Sequence, residues 1–170
     1  MERKQIFQQL GMTVMCLFLL YPVSALAGKK VDFSGEWVLN ESKSNLGERR
    51  FMLSTEMTVK QEKGTIMIKR TGTGRDGEQR TRSETLTMDG KENVNKTENR
   101  SSTTTVLWSD DGMSMTLNSD REFNRQGETF EMKSEETWTL SDDGNTLTIQ
   151  STTSSSRGER SVTLVYDKKL

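Results

Sequence analysis

A turn followed by alternating apolar and hydroxyl-bearing residues occurs twice in this chain, at residues 109–119 and 141–151. In both copies the sequence Asp-Asp-Gly forms the turn, because Asp side chains bond turn amides and Gly adopts positive φ without steric cost. The alternation that follows has the period of two that points one face of a strand inward. Two successive hairpins of the same pattern predict an antiparallel meander.

The same rhythm runs through most of the chain and predicts eight or nine strands joined by short links. The predicted strand segments are residues 33–39, 51–59, 65–70, 79–88, 103–108, 113–123, 130–140, 146–153 and 161–166. Polar residues 91–100 are predicted to form either a loop or a weak edge strand. Because closure removes exposed sheet edges, we predict an all-β fold, an antiparallel up-and-down barrel. A two-sheet sandwich is the alternative.

The first 27 residues are typical of an export signal. Positive charge precedes an apolar run at residues 12–20, and Ala-Leu-Ala at 25–27 has the small-x-small pattern of a cleavage site. Cleavage near Ala27 leaves residues 28–170 as one exported domain, in the periplasm or outside the cell. The apolar run is too short for a comfortable membrane span, so we predict no transmembrane span in the mature chain. A lipid anchor at Cys16 is the alternative.

The residue types most used in catalysis are missing from the predicted mature chain. Histidine is absent and Cys16, the only cysteine, lies within the signal. This removes the commonest general base, the thiolate nucleophile and the commonest metal ligands. We therefore predict no catalytic residue, no metal site and no cofactor. The net charge of −1 offers no basic excess for phosphates, so nucleic acid is not a predicted partner.

Two short motifs have plain structural explanations. Residues 72–77 satisfy the letters of a glycine-rich dinucleotide fingerprint, but a predicted strand follows them where that chemistry needs a helix. They are predicted to form a hairpin loop. The Asp pairs at 110–111 and 142–143 lack the alternating acidic ligands of a calcium loop and are predicted to form turns.

The hairpin turns also predict the register of three strands. Placing Phe123 opposite Phe130 pairs Ser119 with Ser134, Leu117 with Glu136 and Met115 with Trp138. Placing Leu140 opposite Leu147 pairs Trp138 with Ile149, Glu136 with Ser151 and Ser134 with Thr153. A slip of one residue would turn every one of these side chains to the other face.

This register gives the inward face an apolar end and a polar end. The apolar end contains Met113, Met115, Trp138, Leu140, Leu147 and Ile149. The candidate ligand-binding residues are Ser119, Arg121, Ser134, Glu136, Trp138, Ser151 and Thr153. A buried Arg121 requires a carboxylate from the protein or from a ligand. The alternative is that Arg121 pairs internally or reaches solvent at the rim.

The first and last predicted strands resemble those of the calycin superfamily, the lipocalins and fatty-acid-binding proteins. Residues 33–39 match the opening Phe-x-Gly-x-Trp pattern, and residues 164–168 are similar to the Val-Tyr-Glu-Lys ending of fatty-acid-binding proteins. The start is also similar to exported bacterial lipocalin-like proteins. The resemblance implies a barrel floor formed by Phe33, Gly35 and Trp37. The position of the family's carboxylate-binding Arg is occupied by Leu164, so that residue is not carried over.

These observations predict an exported lipocalin-like barrel that is not an enzyme and that binds a small, partly apolar or amphipathic molecule in its interior. The alternative is a cell-envelope module that binds another protein and has an interior filled by side chains. A substantial enclosed pocket favours the first function, and a filled interior favours the second.

Overall fold

The computed structural model describes residues 29–47, 53–74, 76–125 and 127–169. The predicted export signal and Cys16 lie outside the described residues. Within these ranges the helices and strands assigned are all strands: β1 (Gly35–Leu39), β2 (Ser54–Glu62), β3 (Thr65–Thr73), β4 (Gln79–Thr87), β5 (Asn93–Thr97), β6 (Arg100–Trp108), β7 (Ser114–Arg125), β8 (Glu128–Leu140), β9 (Thr146–Ser155) and β10 (Gly158–Lys168).

All ten strands form one antiparallel sheet in the order β4-β3-β2-β1-β10-β9-β8-β7-β6-β5. Strands that are consecutive in sequence pair with each other, apart from β4 and β5, which do not pair. In addition, β1 pairs with β10, which brings the first and last strands together. This order confirms the all-β up-and-down barrel, and the two-sheet sandwich is wrong. The strand number is one above the expected range because residues 93–97 form an edge strand, β5.

The two Asp-Asp-Gly turns close their hairpins with the same bonds. Asp111 Oδ1 accepts from the Met113 amide at 2.9 Å and from Ser109 Oγ at 2.6 Å, while Gly112 has a φ of 71°. Asp143 Oδ1 accepts from the Asn145 amide at 3.0 Å, and Gly144 has a φ of 68°. A carboxylate that bonds the amide two residues ahead holds the chain in the turn.

This turn geometry corrects one predicted core residue. Met113 is 55% exposed, so its predicted place on the inward face is wrong. The Met113 amide is bonded to Asp111, and β7 begins only at Ser114. Alternation therefore starts one residue later than the sequence pattern suggested.

The predicted register of β7, β8 and β9 is confirmed. Phe123 lies opposite Phe130 and Met115 lies opposite Trp138. Leu140 lies opposite Leu147, and Glu136 opposite Ser151. The remaining predicted pairs also occur: Ser119 with Ser134, Leu117 with Glu136, Trp138 with Ile149, and Ser134 with Thr153.

Large apolar side chains fill one half of the barrel interior, which we call the floor. They include Phe33, Trp37, Ile66, Ile68, Met115, Trp138, Leu147 and Tyr166, each with no more than 1% of its surface exposed. Phe33 meets the Trp138 ring edge-on at a centroid distance of 5.8 Å, and Trp37 Nε1 donates to the Phe33 carbonyl at 3.1 Å. Edge-to-face rings and a satisfied indole are both favourable in a dry core.

An N-terminal arm, residues 30–34, closes the floor from outside. Its Val31 amide donates to the Gly112 carbonyl at 3.0 Å. The Gln61 side chain holds it at two points, donating to the Val31 carbonyl at 3.0 Å and accepting from the Phe33 amide at 3.2 Å. The sequence predicts a first strand from residue 33, whereas β1 begins at Gly35. The apolar position at the start of the predicted strand is Phe33, which is buried as part of this arm.

The barrel wall has a seam between β4 and the β5–β6 hairpin, because β4 and β5 are the two edges of the sheet. The Asn93 side chain bridges this seam. Its Oδ1 accepts from the Thr87 amide at 2.8 Å, and its Nδ2 donates to the Thr104 carbonyl at 3.1 Å. The Asn93 amide group thus provides the two hydrogen bonds that a missing strand residue would make.

We expect Asn93→Ala to weaken the seam. Loss of these bonds leaves part-buried backbone groups without partners, which costs about 1–2 kcal/mol of unfolding free energy. The measurement is hydrogen exchange of the Thr87 amide together with chemical denaturation. Asn95→Ala is the control, because Asn95 lies on the same strand and is exposed. Unchanged protection of Thr87 in Asn93→Ala would contradict the bridging role.

Candidate functional site

The other half of the interior, which we call the mouth, is lined by polar residues. The structure places Ser119, Arg121, Ser134, Glu136, Ser151 and Thr153 on the inward face of β7, β8 and β9, as their cross-strand pairs require. Ser119 is buried, and its hydroxyl lies 3.0 Å from Thr104 Oγ1 on β6. The other five are partly exposed. Hydroxyl groups that pair with each other across strands keep a polar interior satisfied without charge.

Trp138 lies deeper than the other candidate residues. Its side chain has no exposed surface and packs against Phe33. Its Nε1 donates to Glu136 Oε2 at 3.2 Å. Trp138 therefore belongs to the floor, and its indole N–H is bonded to Glu136 at the boundary with the mouth.

The partner of Glu136 is Arg70, from β3 on the far wall. Arg70 Nη1 donates to Oε1 at 3.0 Å and Nη2 donates to Oε2 at 2.6 Å, which is a bidentate pair. The two side chains are only 21% and 16% exposed. The Arg70 guanidinium also lies 5.6 Å from the centre of the Trp138 ring. This pair crosses the interior where the floor ends and the mouth begins.

Burial and charge act in opposite directions on this pair. Burial alone would raise the pKa of Glu136, but the charge and hydrogen bonds of Arg70 outweigh it and hold that pKa below its ordinary value. Burial likewise disfavours the charge on Arg70, and the carboxylate of Glu136 more than compensates, so the pKa of Arg70 is raised. Nearby, burial raises the pKa of Tyr166 to about 12, and its hydroxyl donates to the Ser54 carbonyl at 3.0 Å. All three groups keep their ordinary charge at neutral pH.

Several further arginines occupy inward positions at the mouth, of which Arg80 pairs with Asp76 and Arg160 donates to the Leu46 carbonyl. Arg82 on β4 lies opposite Arg70, Arg121 on β7 lies opposite Ser102, and Arg100 on β6 lies opposite Phe123. None of Arg82, Arg100 and Arg121 makes a salt bridge or side-chain hydrogen bond within the described part of the chain.

These arginines are close enough to affect one another. Partial burial and the positive charges of Arg121 and Arg100 lower the pKa of Arg82, and Glu84 only partly opposes this. Like charges in a partly buried setting are costly unless a carboxylate or another anion is present. The mouth is therefore electropositive.

Apolar side chains accompany the arginines at the end of the β7–β8 hairpin. The rings of Phe123 and Phe130 stack at a centroid distance of 5.3 Å and an angle of 15°. Met132 lies beside them, opposite Arg121. β9 begins to pair with β8 only at Met132, so Phe130 extends beyond the neighbouring strand. All three side chains are partly exposed. The mouth thus combines an apolar surface with cationic groups.

Arg70, Arg82 and Arg100 were not among the residues predicted from the sequence. The signal for Arg70 was available, because Ile66 and Ile68 share the inward face and one further step of alternation reaches Arg70. The same step on β4 leads from Leu86 through Glu84 to Arg82. Leu164, at the position where the resembled family has its Arg, packs against the floor core. In this barrel the arginine that pairs with an inward carboxylate is Arg70 on β3, and its partner is Glu136.

The glycine-rich segment and the Asp pairs have structural roles. Between β3 and β4 the Gly74 amide donates to the Glu78 carbonyl at 2.8 Å, and Asp76 pairs with Arg80. No group of three or more His, Cys, Asp or Glu side chains able to hold a metal ion occurs among the residues described. A search of the same residues finds no helix with the length and apolar character needed to cross a membrane.

Two shallow hollows lie on the outer side of the sheet. One, of about 250 Å³, is lined mostly by outward residues of β6, β7 and β8 such as Asp120 and Lys133, and also by Arg121 and Met132. The other, of about 320 Å³, lies against β9 and β10 near Asn45 and is lined mainly by hydroxyl and amide groups. Both hollows are open to solvent, and among the candidate residues Arg121 lines the first and Ser151 lines the second.

Comparison with known proteins gives a structural likeness at low sequence identity. No family model matches the chain, and no curated protein matches it. The crystal structure of zebrafish ileal bile acid-binding protein complexed with cholic acid is similar, with 16% sequence identity and a TM-score of 0.48. The match covers 81% of this chain and 98% of that chain. The strand order described above, rather than this likeness, establishes the fold.

We expect Glu136→Gln to destabilise the domain by about 3 kcal/mol, because it leaves the Arg70 charge mostly buried without its carboxylate. Arg70→Met combined with Glu136→Gln should recover most of this loss, since the glutamine still accepts from Trp138. The measurement is chemical denaturation at neutral pH. Glu135→Gln is the control, because Glu135 is the exposed neighbour on β8 and should change stability by less than about 0.5 kcal/mol.

The pH dependence of stability provides a second readout of the same prediction. A carboxyl whose folded pKa is lowered contributes stability that is complete above its ordinary pKa of 4.5 and is lost as pH falls through the folded pKa. Glu136→Gln should therefore lose less stability than the wild type on acidification below that value. Parallel curves for the two proteins would show that the ion pair contributes nothing.

Proposed function

We propose that this protein binds a small amphipathic organic anion in the mouth of the barrel. The observation that carries the proposal is the set of three arginines, Arg82, Arg100 and Arg121, that face inward beside apolar side chains without a salt bridge among the described residues. Guanidinium groups that have no salt-bridge partner favour the binding of an anion with good hydrogen-bond acceptors.

The filled floor limits where the ligand lies. Trp37, Trp138 and Tyr166 occupy that half of the interior, and the Arg70–Glu136 pair forms its upper boundary. A ligand therefore enters from the mouth and stays above the pair. Its apolar part rests on Phe123, Phe130 and Met132, and its charged part faces the arginines.

The hydroxyl residues on β7, β8 and β9 complete this proposed site. Ser134, Ser151 and Thr153 are partly exposed on the inward face and offer both donors and acceptors. Such groups hydrogen-bond to neutral polar atoms of a ligand or to bridging water, without adding charge. They favour a ligand that carries polar groups along its length as well as at its end.

A second candidate function is a protein-interaction module of the cell envelope. The filled floor favours it. In that function the arginines of the mouth meet an acidic surface of the partner. Native mass spectrometry of protein purified from its own host distinguishes the two functions, because a co-purifying small molecule supports the first.

We also propose that the protein is exported. The support is the sequence of residues 1–27 and the role of the segment just after it, since the arm at residues 30–34 packs into the floor. N-terminal sequencing of the cell-envelope or secreted fraction is expected to begin at Gly28. A protein that retains Met1 in the cytoplasm would overturn this proposal.

Binding of the fluorescent amphipathic anion 1-anilinonaphthalene-8-sulfonate tests the ligand proposal. We expect saturable binding by the native protein, and about tenfold weaker binding by Arg121→Ala, which removes one charge-assisted contact. Lys133→Ala is the matched control, because it removes a cation from the outer face of the adjacent strand.

The uncharged analogue N-phenyl-1-naphthylamine should bind Arg121→Ala and the wild type equally. Equal affinity of the anionic probe for Arg121→Ala and the wild type would contradict the proposed site. A native protein that binds neither probe would contradict the ligand function itself.

A further inference from the structure

The charges on the inward face of the mouth do not balance. Arg70, Arg82, Arg100 and Arg121 contribute four positive charges, and the inward carboxylates nearest to them in register are Glu84 and Glu136. Glu128, at the end of the β7–β8 hairpin, lies opposite Arg125. Arg70 and Glu136 neutralise each other. Glu84 compensates one of the remaining three, so about two positive charges are left without a partner among the residues described.

The positions of the three arginines concentrate this excess. Arg82 is on β4, while Arg100 and Arg121 are on β6 and β7, so the seam lies between Arg82 and the other two. β4 contacts β6 across the seam. The charges of Arg121 and Arg100 act on Arg82 strongly enough to lower its pKa. The three guanidinium groups thus approach one region from both sides of the seam.

We propose that the anionic end of the ligand is a doubly charged phosphate monoester, held by Arg82, Arg100 and Arg121. This inference rests on the proposed function and specifies its headgroup. A carboxylate neutralises one charge and has two acceptor oxygens. A phosphate monoester carries a charge of about −1.5 to −2 at neutral pH and offers three acceptor oxygens. One oxygen for each guanidinium matches the number of guanidinium groups, and the charge of the phosphate matches the excess positive charge.

The apolar surface next to the arginines argues for an amphipathic ligand over free phosphate. The stacked Phe123 and Phe130 rings and Met132 lie on the same inward face as Arg121. An alkyl or ring system of the phosphate ester can cover them, which adds apolar burial to the charge-assisted contacts. Inorganic phosphate gains the charge-assisted contacts but not the apolar burial.

Displacement of 1-anilinonaphthalene-8-sulfonate by decyl phosphate and by decanoate, both below their micelle concentrations, tests the headgroup. We expect decyl phosphate to bind at least about tenfold more tightly than decanoate, equivalent to one additional charge-assisted hydrogen bond. Inorganic phosphate should displace the probe only at far higher concentrations. Arg82→Ala and Arg100→Ala should each reduce the preference for phosphate, while Lys133→Ala should preserve it.

The outcomes separate this inference from the proposed function. Equal affinity for decyl phosphate and decanoate would overturn the phosphate headgroup and leave the binding of an amphipathic anion intact. Displacement by neither compound, in a protein that binds no anionic probe, would overturn both. Equal affinity for inorganic phosphate and decyl phosphate would show that the apolar part of the ligand adds nothing to binding, and would contradict an amphipathic ligand. Capture by phosphatidic acid vesicles without binding of monomeric decyl phosphate would show that the arginines contact a membrane surface, and the inference would be wrong.

Arg82 and Arg100 are exposed and make no side-chain hydrogen bond to the rest of the described chain, so their replacement should leave the fold intact. The melting temperature of each variant checks this. A change in the phosphate preference at an unchanged melting temperature supports the headgroup site.

Discussion

The ion pair between Arg70 and Glu136 is the feature on which the division of the interior depends. It joins strands β3 and β8 across the barrel, from positions 66 residues apart in the chain. Its two charges are mostly buried, and each would be unfavourable without the other. The Glu136 carboxylate accepts hydrogen bonds from both the Arg70 guanidinium and the Trp138 indole, so the three side chains form one hydrogen-bonded network. Below this network the interior is dry and filled by side chains, and above it the interior is polar and reaches solvent.

This division explains how a chain with few apolar residues maintains a core. Hydrophobic residues make up 31% of the sequence, and those of the described barrel are concentrated at the floor. A barrel strand needs an apolar side chain only at its inward positions, which are every second residue. In this barrel the core needs them only at the end of the interior near the floor. The N-terminal arm adds Phe33 to that core from outside the sheet. The mouth is then free to have a polar lining without loss of the main apolar burial.

Local turn chemistry made the fold and much of the register predictable. The Asp-Asp-Gly turns determine where β7 and β9 begin to within one residue, and the facing pair Phe123 and Phe130 defines the other end of the β7–β8 hairpin. The error at Met113 came from the same source, since the Asx turn extends one residue further than alternation suggests. The strand β5 was uncertain because Asn-Val-Asn-Lys-Thr is polar on both faces and gives no periodic signal.

The contacts across the barrel could not be predicted in the same way. Alternation tells which face Glu136 occupies, but the choice of Arg70 over Arg121 as its partner depends on the curvature that brings β3 close to β8. The bridge formed by Asn93 depends on how far β4 and β6 separate at the seam. Neither distance is encoded in a local pattern. The candidate residues that were found lie on three neighbouring strands, and Arg70, the partner of Glu136 on the opposite wall, was missed.

The seam and the unbalanced charge occur in the same part of the wall. β4 and β6 share no ladder, and the arginines on either side of the seam repel each other. Repulsion across the least bonded part of a sheet lowers stability, so neither feature is explained by the needs of folding alone. An anion between the two sides would replace repulsion with attraction and connect the two edges through its oxygens. The wall is thus least complete where an anionic ligand would add most to its stability, which is why a ligand accounts for both features together.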